Sequence, residues 1–172
     1  MQINKNNLKI VVGLIVGLIF LISPLFLFNL RINTTPSYPY GLYKVINNTT
    51  IEKGIFVNFC APDKKDIQLK ELKKSNDGIC LNGTTPLLKK VVAVEGDKIT
   101  VANEKIYVNG IEQVNSKIFV KKVKFFAKSQ TIKKGEIFVM SDFNPMSYDS
   151  RYFGAINTNK VIEIVSPLYT FN

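Results

Sequence analysis

Apolar positions run without a break near the start of the chain and are interrupted everywhere after it. Ile10 to Leu30 reads "IVVGLIVGLIFLISPLFLFNL" and contains no charged residue. As a helix rising 1.5 Å per residue, these about 21 positions span roughly 30 Å, the thickness of a bilayer's hydrocarbon core. Pro24 is expected to kink this helix without ending it, since membrane-spanning helices tolerate proline. A cleaved leader would need an apolar stretch of about 7–15 residues closed by small residues. This run is longer, and the first alanine in the chain is Ala61. A buried core helix is the other alternative, disfavoured by the length of the run and by Lys5 and Lys9 beside it. The pattern therefore predicts a cytoplasmic N-terminus over 1–9, a transmembrane signal anchor over 10–30 and an extracytoplasmic domain over 31–172. Lys5 and Lys9 orient the helix in that sense, and Arg31 and Lys44 on the far side weaken the bias.

Past Pro39 the pattern changes to short alternating runs separated by turn residues. "GLYKVI" and "GIFVNFC" read as strands on either side of "NNTTIEKG". Ala61 to Asn82 is polar and lysine-rich, a solvated loop or short helix. "PLLKKVVAVEGD" is an apolar strand that closes at a Gly-Asp turn. "KITVANEKIYVNGIEQV" predicts a hairpin with turns at Asn103-Glu104 and Asn109-Gly110. "KIFVKKVKFFAK" alternates and predicts a half-buried strand pair. "GEIFVMSDFNPMSYDSRYFGAI" is a strand entering a polar, turn-rich loop, and "NKVIEIVSPLY" is a closing strand. The expected architecture is mostly β, one antiparallel domain behind one N-terminal transmembrane helix.

Composition narrows the functions. The 172 residues are 46% hydrophobic and carry a formal net charge of +10, with no histidine. Aromatics are not interleaved with arginine, which disfavours nucleic acid; an anionic membrane surface fits the charge. With no histidine and two cysteines, no tetrahedral zinc site and no other metal is expected, nor a cofactor. Cys60 and Cys80 fit a disulfide in an oxidising compartment, the alternative being two buried thiols. Closing their loop of about 20 residues would stabilise by on the order of 3 kcal/mol.

The candidate chemistry starts at "NTTPSYPYGLYKV", where Ser37 sits between two prolines. A serine hydroxyl needs a base to become a nucleophile; without histidine, Cys, Asp, Glu, Lys and Tyr remain, and a Ser-Lys dyad is a known variant. Burial disfavours the ammonium form and lowers the lysine pKa from about 10.4. Lys89 and Lys90 lie in an apolar strand, framed by Leu87 and Leu88 before them and Val91 to Val94 after them. Alternation places the two lysines on opposite faces, both apolar, and does not choose between them.

"SYPYGLY" (37–43), "LLKKVVAVEGDKI" (87–99), "VNG" (108–110) and "GEIFVMSDFNPMSYDSRYFG" (135–154) occur in that order. Together they resemble the type I signal peptidases, most closely the TraF-type conjugative-transfer group, which also carries a cysteine-bearing segment before its lysine strand. That resemblance implies Ser37 as nucleophile. It also implies Lys89 as base, because the family's lysine stands seven residues before the glycine of the Gly-Asp turn, here Gly96. By the same resemblance Thr35 assists the Ser37 backbone N–H in the oxyanion hole, and Ser147 orients the lysine. Asp149 and Arg151 would form a bracing ion pair. Tyr38 stands where many of these enzymes have methionine, and "SDFNP" replaces their "GDNRD", which bears on substrate preference.

The implied activity is a membrane-anchored serine endopeptidase that cleaves leader peptides of exported or pilin-like precursors through an acyl-enzyme. Conjugative pilin maturation is the specific expectation, with cyclisation if an amine replaces water. Only about six residues separate Leu30 from Ser37, at most roughly 20 Å of chain, so the nucleophile would work close to the membrane. The expected location is the cytoplasmic (inner) membrane, with the catalytic domain on the extracytoplasmic or periplasmic side. A general type I signal peptidase is an alternative. A non-catalytic scaffold subunit of a secretion or conjugation apparatus is a rival from another class. The anchor argues against a soluble repressor-type autoprotease.

Overall fold

The structure, a computed structural model, describes residues 5–47, 50–62, 78–81, 83–119 and 129–171. The first element is helix α1, Lys5–Leu27, which continues through Pro24. It is long and apolar enough to cross a membrane, and none of its side chains over the apolar window is covered by the rest of the protein. The helix ends three residues before the Leu30 boundary expected from hydropathy. Asn29 takes a left-handed backbone (φ +52°), and the Val45 N–H donates to the Asn29 carbonyl at 2.9 Å. The last apolar residues are thereby turned into a sheet, and Leu30 opens strand β1, Leu30–Asn33.

Among the described residues the domain forms two antiparallel sheets. The larger one uses β1, β2 (Tyr40–Ile46), β3 (Phe56–Phe59), β4 (Leu87–Ala93), β9 (Glu136–Met140), β10 (Ile156–Asn157) and β11 (Val161–Phe171). Its spatial order is β1-β2-β11-β3-β4-β9-β10. The long β11 bridges the two halves of this sheet by pairing with β2 on one side and β3 on the other. A bulge between Pro167 and Tyr169 falls where proline has no N–H to give the ladder. The smaller sheet has the order β7-β6-β5-β8, made of β5 (Lys98–Ala102), β6 (Lys105–Val108), β7 (Ile111–Glu112) and β8 (Ser129–Thr131).

Turn chemistry sets the small sheet's register. Asn103 and Glu104 both have positive φ, as do Asn109 and Gly110, which suits the tight two-residue connections that twist with their strands. The alternating segment at Lys117 departs from expectation. Lys117 to Phe119 are not in a strand, and the rest of that proposed pair, like most of the lysine-rich loop 61–82, lies outside the described residues. Strand β8 pairs instead with β5, through Lys98 and Thr131 and the two following pairs.

Two apolar clusters hold the sheets together. Val57, Phe59, Val91, Ile137, Val139, Phe153 and Ile156 fill the larger sheet. Ala93, Ile99, Ile106, Ile132 and Phe138 join it to the smaller one. A third, smaller group places Tyr38 and Tyr43 against Leu88 and Val165, so the loop joining β1 to β2 is packed down onto β4.

Gly41, where β2 passes under β11, has φ +140°, and a Cβ there would meet the Tyr169 carbonyl oxygen at 2.2 Å. Gly41→Ala should therefore destabilise the domain by about 2 kcal/mol or more, from backbone strain and overlap together. Chemical denaturation of the detergent-solubilised protein measures this, and a change under 0.5 kcal/mol would contradict the close approach.

Candidate active site

Strand β4 lies inside the larger sheet, with β3 on one side and β9 on the other. Lys89 pairs with Val57 in that ladder and is 1% exposed, whereas Lys90 is only partly covered. The Lys89 ammonium lies at the junction of three segments. Nζ donates to Ser37 Oγ at 2.8 Å and to the Leu88 carbonyl at 2.9 Å. Its pKa is lowered from the ordinary lysine value to about 8, first because burial penalises the charge and further by the nearby Arg151 guanidinium; Asp149 opposes the shift.

Ser37 reaches Lys89 because the loop that carries it is pinned from both ends. Asn33, buried at the end of β1, donates through Nδ2 to the carbonyls of Thr35, Tyr38 and Pro39. The Tyr43 hydroxyl donates to the Pro39 carbonyl at 2.9 Å. From the other side, the Ser141 hydroxyl donates to the Ser37 carbonyl. Asn144 Nδ2 donates to the Pro36 carbonyl at 3.0 Å. Ser37 itself remains partly exposed.

The loop after β9 is organised by Arg151 and Asp149, both fully buried. Asp149 caps the short helix α2, Ser150–Phe153. Arg151 Nε donates to Asp149 Oδ1 at 2.7 Å, and Nη2 donates to Oδ2 at 2.8 Å. The remaining guanidinium donors go to the carbonyls of Asn115, Lys117, Pro145 and Ser147. Asp149 also accepts from the Ser141 N–H at 3.0 Å. The pair is thus saturated with hydrogen bonds, the condition under which a buried ion pair is tolerated.

Two contacts differ from the roles the resemblance implies. Ser147 Oγ donates to Ser37 Oγ at 3.3 Å, while the second partner of Lys89 is the Leu88 carbonyl. Thr35 Oγ1 donates to Asn33 Oδ1 at 2.7 Å, so its proton is directed into the loop. Sequence reasoning missed Asn33, Ser141 and the contacts of Tyr38. Asn33 carried a signal, since asparagine ahead of Thr-Thr-Pro commonly folds the following turn onto its own side chain. Cys60 and Cys80 are joined as a disulfide across 20 positions, tying Gly78 to Leu81 to the end of β3.

A hollow of about 430 Å³ opens beside the Ser37 loop, between Asn33–Thr35 and Pro86–Leu88, with Ile79 and Val165 at its walls. Thr34 and Ile32 at its rim are exposed, and β1 is the sheet's edge strand. A second hollow of about 330 Å³ lies farther along β4, against Lys90, Val92 and Asp142.

A family model described as signal peptidase, peptidase S26, matches residues 5–169. The chain is 32% identical to plasmid transfer protein TraF of Escherichia coli over 148 residues, which cover 82% of this chain and 83% of that protein. It is 30% identical to signal peptidase IB of Staphylococcus aureus over 102 residues, 49% of this chain and 53% of that one. A crystal structure of signal peptidase I from Enterococcus faecalis superposes with a TM-score of 0.40 at 17% identity, covering 69% of this chain and 98% of that chain.

Neutralising Asp149 leaves the fully buried Arg151 guanidinium without its counter-ion. Asp149→Asn should cost about 3 kcal/mol or more in denaturation experiments; a cost near zero would contradict a saturated buried pair. Lys89 also gives stability a pH dependence. It releases its proton near pH 8 when folded and near 10.4 when unfolded. The unfolded chain therefore binds more protons across that window, and stability should rise with pH from about 8 to about 10, by roughly 3 kcal/mol in all. The Lys89→Met protein should lose this rise, and an unchanged slope would show that the group responsible lies elsewhere.

Proposed function

The chain belongs to the signal peptidase family, peptidase S26, and from that membership we propose that it is a Ser-Lys endopeptidase acting on membrane-tethered precursors. The observation that carries this reading is a lysine with a lowered pKa, 1% exposed, whose Nζ is 2.8 Å from a partly exposed serine hydroxyl. With a pKa of about 8, roughly a tenth of the Lys89 amines are neutral at pH 7. The neutral amine takes the Ser37 Oγ proton as Oγ attacks the scissile carbonyl. Lys89 then returns that proton to the departing amine, leaving an ester on Ser37. Water, deprotonated by Lys89 in turn, hydrolyses the ester. The Ser37 N–H supplies an oxyanion donor, worth about 3 kcal/mol. For Thr35 to supply another, its hydroxyl turns from Asn33 toward the substrate.

The precursor peptide lies extended along the β1 edge, its small side chains before the cleaved bond directed into the hollow at Thr35 and Leu88. Edge strands accept peptides in this way because their outer N–H and C=O groups are unpaired. Helix α1 anchors the domain and Ser37 follows it by ten positions, so cleavage takes place near the membrane on the side that holds the domain, the extracytoplasmic one. The likeness to TraF extends the reading to precursors used in conjugal transfer, pilin-like ones first.

Ser37→Ala should abolish precursor cleavage and leave membrane insertion unchanged; retained cleavage would remove Ser37 as the nucleophile. Lys89→Ala should be inactive and Lys90→Ala should keep most activity, and the reverse would exchange their roles. The rate should rise tenfold per pH unit below about 8 and level off above it; a flat profile would remove lysine as the base. Co-expression with a pilin-like precursor and the product's mass separates hydrolysis from cyclisation, which differ by one water.

A further inference from the structure

Each residue that forms the site has a neighbour in sequence that joins a second row behind it. Ser37 is followed by Tyr38, Lys89 by Lys90, and Ser141 by Asp142. The Tyr38 hydroxyl, with one proton to give, lies 2.9 Å from both the Met140 carbonyl and Asp142 Oδ1, and accepts from the Asp142 N–H at 3.2 Å. Asp142 Oδ2 pairs with Lys90 Nζ. Lys90 in turn lies over the Phe56 ring, 5.2 Å from its centroid, and Phe56 meets the Tyr38 ring edge-on at 4.8 Å. Tyr38 is 3% exposed. Its ring stacks 6.4 Å from that of Phe143 on the loop's other side. We propose that Tyr38 is a positioning residue for the Ser37–Lys89 pair, its phenol locking the Ser37 loop to the end of β9 and to Lys90.

Tyr38 is the only one of these second-row side chains carried by the Ser37 loop, and it follows the serine directly. Three elements meet at its hydroxyl: the Ser37 loop, the end of β9, and β4 through Asp142 and Lys90. Burial and the Asp142 carboxylate both raise the phenol's pKa well above the ordinary tyrosine value, so the group stays a neutral donor at working pH. A loop released at Tyr38 would no longer hold Ser37 Oγ over Lys89, and water would reach the amine. The charged groups facing Lys89 are Asp149 and Arg151, and those facing Tyr38 are Asp142 and, through it, Lys90. Substituting the phenol changes none of these charges, so a shift in the lysine's titration would report hydration of the amine.

The inference rests on Ser37 and Lys89 being the reacting pair, and one experiment separates the two. Full-length wild type, Ser37→Ala, Tyr38→Phe and Asp142→Asn proteins are assayed in detergent on a peptide precursor, with kcat, KM and the pH profile recorded beside Tm. Tyr38→Phe is expected to lower kcat about tenfold, to leave KM within twofold and to move the midpoint of the profile above that of wild type. Asp142→Asn is expected to lower kcat as well. Wild-type kcat and midpoint in Tyr38→Phe would overturn the proposal. So would a loss of kcat that follows Tm with the midpoint unmoved, because that is plain destabilisation. If Tyr38→Phe does not fold, Asp142→Asn decides on kcat and Tm alone, because it removes a charge that the midpoint would also feel: wild-type kcat, or a loss of kcat that follows Tm, would overturn the proposal. Cleavage by Ser37→Ala would instead overturn the reading on which the inference rests.

Discussion

The site depends on keeping one ammonium group out of water without a carboxylate to neutralise it. Lys89 is buried in a sheet of Val57, Val91 and Val139, and its hydrogen-bond partners are a hydroxyl and a backbone carbonyl. A carboxylate at that distance would hold the lysine charged and useless as a base. A hydroxyl and a carbonyl satisfy the amine's hydrogen bonds and leave the burial penalty to favour loss of the proton. The carboxylate that acts on Lys89, Asp149, is committed to Arg151 through two hydrogen bonds. Its pull on Lys89 is thereby set against the guanidinium's push.

That constraint explains why so much of the polar network is devoted to holding loops. A serine that must stay near an unpaired lysine cannot sit on a loose segment. Asn33 and Tyr43 grip its loop from the β1 and β2 side, and Ser141 and Asn144 from the β9 side. The β9 loop is itself shaped by Arg151, which bonds four carbonyls as well as Asp149. Positional accuracy thus passes from a fully buried ion pair to Ser141 and from Ser141 to Ser37.

Strands β2 to β7, β9 and β11 were legible because each alternates or runs apolar between turn residues, and the Asn-Gly and Gly-Asp turns fixed their limits; β1, β8 and β10, two to four residues each, carried no such pattern. Two further features were not legible. The end of α1 depends on a left-handed Asn29 and a hydrogen bond from Val45, which hydropathy does not register. In β4 both faces are apolar in sequence, so alternation did not separate Lys89 from Lys90. In the structure Lys90 finds Asp142, 52 positions away, while Lys89 lies under the Ser37 loop. The choice is made by partners remote in sequence. The contacts of Ser147 and Thr35 were obscure for the same reason: a hydroxyl's partner is decided by the loop path, and its residue type is compatible with many. Asn33 was the exception, carrying a local turn signal that could be read from its four successors.

The order of elements also explains how the proposed anchor and the proposed nucleophile can share so short a stretch. Helix α1 passes into β1 within three residues, and β1 is at once the first strand, the sheet's edge and one wall of the hollow. A strand in the middle of the sheet could not serve, since its backbone groups would already be paired. An edge strand fed directly from the proposed anchor would offer its free groups close to the lipid, where a tethered precursor would emerge. The same strand ends at Asn33, which holds the Ser37 loop. A peptide docking along β1 would therefore lie against the segment that fixes the serine, and the exposed Ile32 and Thr34 are the residues through which it would be felt.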